Sequence, residues 1–257
     1  MNKQPPKISV VIPSLNQGKY IQETIESVFL QNYPNVEVIV CDGGSTDGTV
    51  LILQSYDSKI NWTSEPDKGQ SDAINKGLKR ATGDILVYIN SDDVFCPNAF
   101  WSVSTAFQQH PTALWITGDY EIIDEHGKKM HQHIMLYKRL LRTFISYPLL
   151  AVANMIAQPS TYISKKAYLE VGEFKTNLHY CMDYDYWLRL MLKKRPIVLS
   201  SILSKFRVHN QSKGANYRKQ FEEEHLVLKQ YTTNPFFIFL HRLHARLVIS
   251  AYSIIKQ

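Results

Sequence analysis

Short apolar runs, each closed by a polar turn, recur through the first part of the chain. Ile8–Ile12 predicts a buried strand stopped by Pro13, followed by the polar turn Ser14–Gly18. Tyr20, Ile21, Ile25, Val28 and Phe29 then recur at helical spacing. Val36–Cys41 predicts a second strand, ended by Asp42-Gly43-Gly44. Ser45-Thr46-Asp47 offers N-caps for a helix through Val50, Leu51 and Leu53. Ile60–Thr63 reads as a short third strand. Gly69–Asp72 opens a third helix, carrying Ala73, Ile74, Gly77 and Leu78 and stopping near Gly83, and Ile85–Ile89 is a fourth strand. Strands alternating with helices predict an α/β fold with a mostly parallel sheet and right-handed crossovers. The turns at Asn16, Asp42, Glu65-Pro66-Asp67 and Asn90–Asp93 all follow strands. They therefore converge on one sheet edge, where open α/β sheets bind ligands.

After residue 98 the pattern changes. A helix over Ala99–Phe107 leads to a strand at Ala113–Thr117. A hairpin follows, Tyr120–Asp124 with Lys128–His133, turning at His126-Gly127. Leu136–Ala153 is apolar but carries Lys138, Arg139 and Arg142. Thr161–Ser164 predicts a strand, Asp183–Lys194 a helix with Trp187, Leu188, Met191 and Leu192 on one face, and Ile197–Val208 an extended segment. Residues 215–231 are helical, and Pro235 breaks the chain before a last helix to about Ile255. With no repeat or low-complexity linker, the pattern predicts one domain over residues 1–212 and a helical extension over 213–257.

Composition excludes a disordered chain or a coiled coil, since 44% of the 257 residues are hydrophobic and 20% charged. Charge is unevenly spread. Residues 1–127 carry 8 Lys/Arg against 16 Asp/Glu, a net −8, and residues 128–257 carry 21 against 7, a net +14. A basic half can face nucleic acid, an anionic membrane or a phosphorylated substrate. Its basic residues are scattered and form no known nucleic-acid module, which argues against the first. Cys41, Cys96 and Cys181 are widely spaced with no C-x-x-C, as reduced thiols of a cytoplasmic protein would be. The start, Met1–Pro6, has no signal-peptide core, and no uninterrupted apolar stretch of about 18 residues occurs. These features predict a cytoplasmic protein, at most peripheral at the inner face of the cell membrane.

Asp92 and Asp93 adjoin at the end of the fourth strand. Like charges there repel and lose solvation when partly buried. A divalent cation removes both costs, because Mg²⁺ favours one or two carboxylates plus phosphate oxygens. The alternative is an Asx-type turn with solvated acids. Asp42, ending the second strand, can accept from a base or ribose or simply belong to a capping turn. No G-x-x-x-x-G-K-[ST] occurs, and no G-x-G-x-x-G follows the first strand. A diphosphate bound here needs a cation and basic side chains instead.

Five runs in order resemble family 2 glycosyltransferases: Val10–Asn16, Val40–Thr49, Gly69–Gly77, Ala81–Asp84 and Asn90–Asp93. The resemblance spans roughly residues 7–210. It implies a GT-A type, Rossmann-like α/β/α sandwich, a nucleotide-diphosphate-sugar donor, Mg²⁺ or Mn²⁺, and inversion at the anomeric carbon. It divides the domain into a nucleotide-sugar part (7–97) and an acceptor and catalytic part (98–212). By the same resemblance Asp42 binds the nucleobase, Pro13 and Asn16 lie beside the nucleoside, and Asp72 and Asn75 border the donor. Asn90 stands where the family's D-x-D pattern has its first acid, facing ribose. Asp92 is the metal ligand, with Asp93 adjacent.

Met182–Arg189 resembles the family's E-D motif before a Trp-bearing helix, with Met182 in place of Glu. Asp183 then matches the general base, which takes the proton of a weakly nucleophilic acceptor hydroxyl. Alternatively Asp183 N-caps the helix. Asp185, about 200° away around the helix, and Trp187 read as structural. Phe206–Ser212 resembles the late R-x-H-x-x-S segment, which puts Arg207 or His209 at the diphosphate. Gln158-Pro159-Ser160 lies where the family shapes its acceptor side. The acceptor implied is a carbohydrate or lipid-linked glycan, as in polysaccharide or cell-surface glycan synthesis. The last helix mixes Phe, Leu and Ile with His241, Arg242, His244 and Arg246, and Lys256 follows it. It suits a membrane interface, the protein core or self-association. Two other classes remain: a sugar nucleotidyltransferase, though its usual triphosphate loop is missing, and a nucleotide-sugar-binding protein without turnover.

Overall fold

Every residue of β1 (Ile8–Ser14) is buried, as expected of a parallel strand covered on both faces. The structure, a computed structural model, describes residues 4–210, 212 and 216–255. Met1–Lys3, Gln211 and Lys256, used in the sequence reading, lie outside the described residues. β1 pairs in parallel with β2 (Val36–Asp42) on one side and β4 (Ile85–Tyr88) on the other, and β3 (Asn61–Ser64) extends the sheet beyond β2. The intervening helices are α1 (Ile21–Phe29), α2 (Thr49–Gln54) and α3 (Gln70–Arg80). Alternation along the strands splits the core. Val11, Ile39, Leu86 and Tyr88 face one hydrophobic layer. Val10, Ile12, Val38, Val40 and Val87 face the other.

Gly77 fixes how closely α3 approaches the sheet. A Cβ there would stand 2.3 Å from Val11 Cγ1, so only glycine lets the helix lie this near β1. Gly69, at φ 104°, makes the turn that starts α3 at the sheet edge.

The second half differs from the sequence expectation in four places. A two-residue strand, β5 (Val94–Phe95), follows Asn90–Asp93, and α4 (Ala99–Gln109) comes next. β6 (Trp115–Ile123) is one continuous strand where two were expected. Its register against β9 (Ile197–Arg207) shifts between Thr117 and Tyr120. This irregularity surrounds Gly118, and it breaks the hydrophobic alternation that sequence reading depends on. The hairpin partner β7 is only Lys129–Met130, because the chain enters α5 (Gln132–Thr143) where a strand to His133 was expected. A short helix, α7 (Lys165–Val171), was not anticipated.

The remaining elements are α6 (Tyr147–Val152), β8 (Thr161–Ser164), α8 (Met182–Lys193), α9 (Tyr217–Tyr231) and α10 (Pro235–Ile255). The sheet order is β3-β2-β1-β4-β8-β6-β9-β5, with β7 on β6. β8 is antiparallel to both β4 and β6, so β6 and β9 run the same way as the first four strands. The sheet is therefore mostly parallel.

Arg142, an apparent misfit in an apolar stretch, is 1% exposed. Its guanidinium pairs with Asp119 and donates to the Met155 carbonyl at 3.2 Å. Burial pulls its pKa down to about 10. Asp119→Ala strands this buried cation and is expected to cost about 3–5 kcal/mol, measured as a lower denaturant midpoint.

The segment assigned to an extension is packed onto the domain. α9 lies against α8, and α10 against α6 and α9, with His241 and Ala245 buried. One face of α10 thus docks on the core while its opposite face is exposed. Among the described residues no helix is long and apolar enough to cross a membrane.

Candidate active site

A cavity of about 490 Å³ opens at the carboxyl ends of β1 and β4, within the range of small-molecule sites. The turn after β1 contributes Pro13, Ser14, Leu15 and Gln17, and the start of α3 contributes Asp67, Gly69, Gln70 and Ala73. The end of β4 adds Tyr88, Asn90, Ser91 and Asp92. Across from these stand Gln158, the first turn of α8 with Met182 and Asp183, the end of β9 with Phe206 and Arg207, and Gln220 of α9.

The two adjacent acids of the β4 turn are separated by the backbone. Asp92 faces the cavity, and its Oδ2 lies 2.9 Å from His209 Nε2. Asp93 is fully buried and turned away. Its Oδ1 accepts the Arg207 backbone N–H at 2.8 Å and its Oδ2 accepts from Asn90 Nδ2 at 3.2 Å. Burial, together with the Asp92 charge, holds the Asp93 carboxyl well above the usual range. Placing Asp93 beside Asp92 as a second metal ligand is therefore corrected: it braces the turn from behind.

Arg207 is also spent on the turn. Its Nε donates to the Asp92 carbonyl at 2.8 Å, its Nη2 to Glu23 Oε2 at 2.6 Å, and its guanidinium lies 5.1 Å from the Tyr20 ring centroid. It borders the cavity, but it positions Asp92 instead of presenting a free fork to a diphosphate. His209, tilted against the Tyr20 ring with centroids 4.9 Å apart, stands beside Asp92.

Asp183 occupies the first turn of α8 and lines the cavity. Its Oδ1 accepts the neighbouring Tyr184 N–H at 2.8 Å. That bond satisfies one N–H of the helix's first turn, while an acid of another helix braces the segment leading into α8. Glu223 of α9 accepts the N–H groups of His179 (2.9 Å), Tyr180 (2.6 Å) and Cys181 (2.8 Å). Burial pushes the Asp183 carboxyl up to about 6, near the range where a carboxylate works as a base at neutral pH. The next acid, Glu224, is 1% exposed and accepts from Gln220 Nε2 at 3.0 Å. Burial, with a contribution from the Asp183 charge, pushes Glu224 up to about 7. Sequence reading passed over both acids, because Glu222-Glu223-Glu224 looks like a solvated run. Helical spacing would have separated Glu222 from Glu223 and Glu224 only if α9 had been known to pack on α8.

Four further predicted residues serve the frame. The Asp42 carboxylate is 2% exposed and accepts from Gly44 N (3.2 Å), Ser45 N (2.8 Å) and Ser64 Oγ (2.6 Å). This is the capping-turn alternative. Asn16, at φ 52°, accepts from Thr46 N at 2.9 Å and ties the β1 and β2 turns together. Asn75 exchanges hydrogen bonds with Phe174 N and O (2.9 and 2.8 Å), and Asp72 accepts from Lys68 N at 3.1 Å. None of the four borders the cavity. Met182, at the position of the family's Glu, accepts from Ser71 Oγ at 2.7 Å and joins α3 to α8. Asp185 is fully buried between Lys175 (2.7 Å) and Arg189 (2.9 Å), and Trp187 stacks on Trp115, so both are structural as expected.

Three polar atoms at the cavity wall, Ser14 Oγ, Tyr88 Oη and Gln158 Oε1, are buried without a hydrogen-bond partner. Such atoms are costly unless a ligand satisfies them. Tyr88→Phe is expected to leave the unliganded protein as stable or about 1 kcal/mol more so, while weakening ligand binding. Thermal melts with and without ligand read both effects.

The residues present could hold a divalent cation only with help from a substrate. Asp92 offers one carboxylate with an imidazole beside it, and among the described residues no group of three or more ligating side chains exists. Phosphate oxygens would complete the shell, as Mg²⁺ prefers.

A mostly parallel sheet that gathers acids and unpaired polar groups at its strand ends has the ligand-binding edge of an open α/β fold. Residues 9–171 match the family described as Glycosyl transferase family 2, and the chain belongs to that family. A protein of Rickettsia felis, named an uncharacterized glycosyltransferase, is 30% identical over 225 residues, 85% of this chain and 37% of that protein. The chain thus spans little more than a third of that relative's length. The Escherichia coli UDP-Glc:alpha-D-GlcNAc-diphosphoundecaprenol beta-1,3-glucosyltransferase WfgD is 28% identical over 236 residues, 89% of this chain and 87% of that one. The mannosyltransferase PcManGT from Pyrobaculum calidifontis, solved in complex with GDP-Man and Mn2+, superposes with a TM-score of 0.70 at 16% identity. That match covers 98% of this chain and 80% of the other. The fold is of the GT-A type that the motifs implied.

Proposed function

We propose that the protein transfers a sugar from a nucleoside-diphosphate donor to a hydroxyl of a carbohydrate or lipid-linked acceptor, with inversion, in the synthesis of a cell-surface glycan. One observation carries the reading: Asp92 and Asp183, far apart in the chain, open on one cavity whose wall holds unpaired polar atoms. Family membership supports the reaction class, and the name of WfgD supports a lipid-linked acceptor.

In this reading the acceptor oxygen attacks the anomeric carbon while the bond to the diphosphate oxygen breaks. The diphosphate leaves with the bonding electrons, and Asp183 takes the hydroxyl proton. Attack opposite the leaving group inverts the centre. Asp92, with His209 beside it, would hold Mg²⁺ or Mn²⁺, which when bound offsets charge on the leaving diphosphate. Ser14, Tyr88 and Gln158 hydrogen-bond the substrates, and Arg207 and Asp93 hold Asp92 in place.

A thermal-shift screen of UDP-, GDP- and dTDP-sugars, with and without Mn²⁺, tests donor binding, since a ligand that binds only the native state raises its melting temperature. No shift with any donor would count against the proposal.

A further inference from the structure

Two neighbouring helices expose apolar stripes that none of the described residues covers. On α10, Phe236, Phe239, Leu243 and Leu247 fall along one line of the helix, opposite the buried His241 and Ala245. On α5, Leu136 and Leu140 continue into Phe144 just past the helix end. These seven side chains are between 43% (Leu243) and 69% (Leu136) exposed. The stripes adjoin, because Tyr137 of α5 stacks on His244 of α10 at 6.3 Å and its hydroxyl lies 3.0 Å from His244 Nε2. A joined apolar face of this kind marks an interaction surface.

Charge says what covers it. Neither α5 nor α10 contains an Asp or Glu. Arg242 and Arg246 flank the α10 stripe and line a groove of about 530 Å³ between α9 and α10, together with Arg218 and His225; among the described residues Glu222 is the one acid in its wall. An apolar stripe edged by arginines and free of acids matches the acyl and phosphate layers of an anionic bilayer.

We propose that α5 and α10 form a docking face that lies on an anionic lipid bilayer, with the groove of Arg218, Arg242 and Arg246 holding lipid phosphates. The face connects to the chemistry through packed helices: α10 packs on α6 and α9, and both pack on α8, whose first turn holds Asp183. A lipid-linked acceptor then reaches Asp183 from the membrane side. This purpose rests on the proposed transfer, whereas the docking itself does not.

The test is co-sedimentation of the full chain with vesicles of phosphatidylglycerol and of phosphatidylcholine, with donor binding measured in parallel on the same samples. The protein should pellet with phosphatidylglycerol, release as salt rises, and stay in solution with phosphatidylcholine. Arg242→Ala with Arg246→Ala should weaken partitioning roughly 30-fold, and Leu243→Ser with Leu247→Ser roughly 10-fold or more. All variants should keep the wild-type thermal shift with the donor. Wild-type protein that ignores both vesicles, or binds both equally, overturns the proposal. So does a dimer in sedimentation velocity that Leu243→Ser with Leu247→Ser dissolves, which would make the face a self-association surface. Loss of donor binding with intact vesicle binding would instead sink the proposed transfer and leave the docking face standing.

Discussion

The Asp183→Asn protein should bind its donor like the parent and transfer sugar roughly 10²–10⁴-fold more slowly. Asparagine keeps the shape of the side chain and its contact with the Tyr184 N–H but cannot take a proton. Glu223 still holds the Tyr180 and Cys181 N–H groups just before α8, so the segment leading into the helix stays in place. In the parent enzyme the rate should rise with pH through about 6, where burial places the Asp183 carboxyl. Glu224, at about 7, is still protonated where Asp183 titrates, so Glu224→Gln should leave that rise near pH 6. Stability should run the other way. Asp183 at about 6 and Glu224 at about 7 both lie above the ordinary carboxylate range. Their contribution is complete below about pH 4 and is lost as pH rises through 6 and 7. Glu224→Gln should therefore stabilise the protein at pH 8, as thermal melts across pH would show. An unchanged transfer rate in Asp183→Asn would remove the general base from the account.

Asp92→Asn should lower transfer by at least roughly 100-fold, since a cation at a leaving diphosphate supplies several kcal/mol and each 1.36 kcal/mol is tenfold. The turn itself should survive, because Asp93, Asn90 and Arg207 hold it from behind. The expected signature is specific: the extra thermal stabilisation that Mn²⁺ gives a bound nucleotide sugar disappears, and the unliganded melting temperature stays. Asp93→Asn should behave differently. It loses the acceptor of the Arg207 N–H and should destabilise the fold along with activity. A metal response that survives Asp92→Asn would move the cation elsewhere.

Much of the first half was legible, because buried parallel strands write themselves as continuous apolar runs and each ends at a polar turn. The order β1, α1, β2, α2, β3, α3, β4 stands as read. The second half was less legible for a physical reason. Gly118 and the register shift of β6 interrupt the period-two pattern, and the antiparallel β8 enters between β4 and β6 from far along the chain.

Within the site, motif positions identified which turns matter, yet not which way each side chain points. Asp92 and Asp93 are adjacent letters on opposite sides of one backbone. Asp42, Asn16 and Asn75 belong to the turns and clamps that build the pocket, and their hydrogen bonds are already satisfied. Tyr88 stayed hidden because it reads as one more apolar strand residue. Glu223 and Glu224 stayed hidden because their partner, the start of α8, lies about forty residues earlier (His179–Asp183).

The most direct test of the account is acceptor-dependent release of nucleoside diphosphate. Purified protein is incubated with UDP-, GDP- or dTDP-sugars, Mn²⁺ and lipid-linked or free glycan acceptors, beside Asp183→Asn and Asp92→Asn. The account predicts nucleoside diphosphate with one donor, only when acceptor is present, nearly abolished in both variants, with a product inverted at the anomeric carbon. Release of pyrophosphate, or no nucleoside diphosphate from any donor and acceptor, would contradict it.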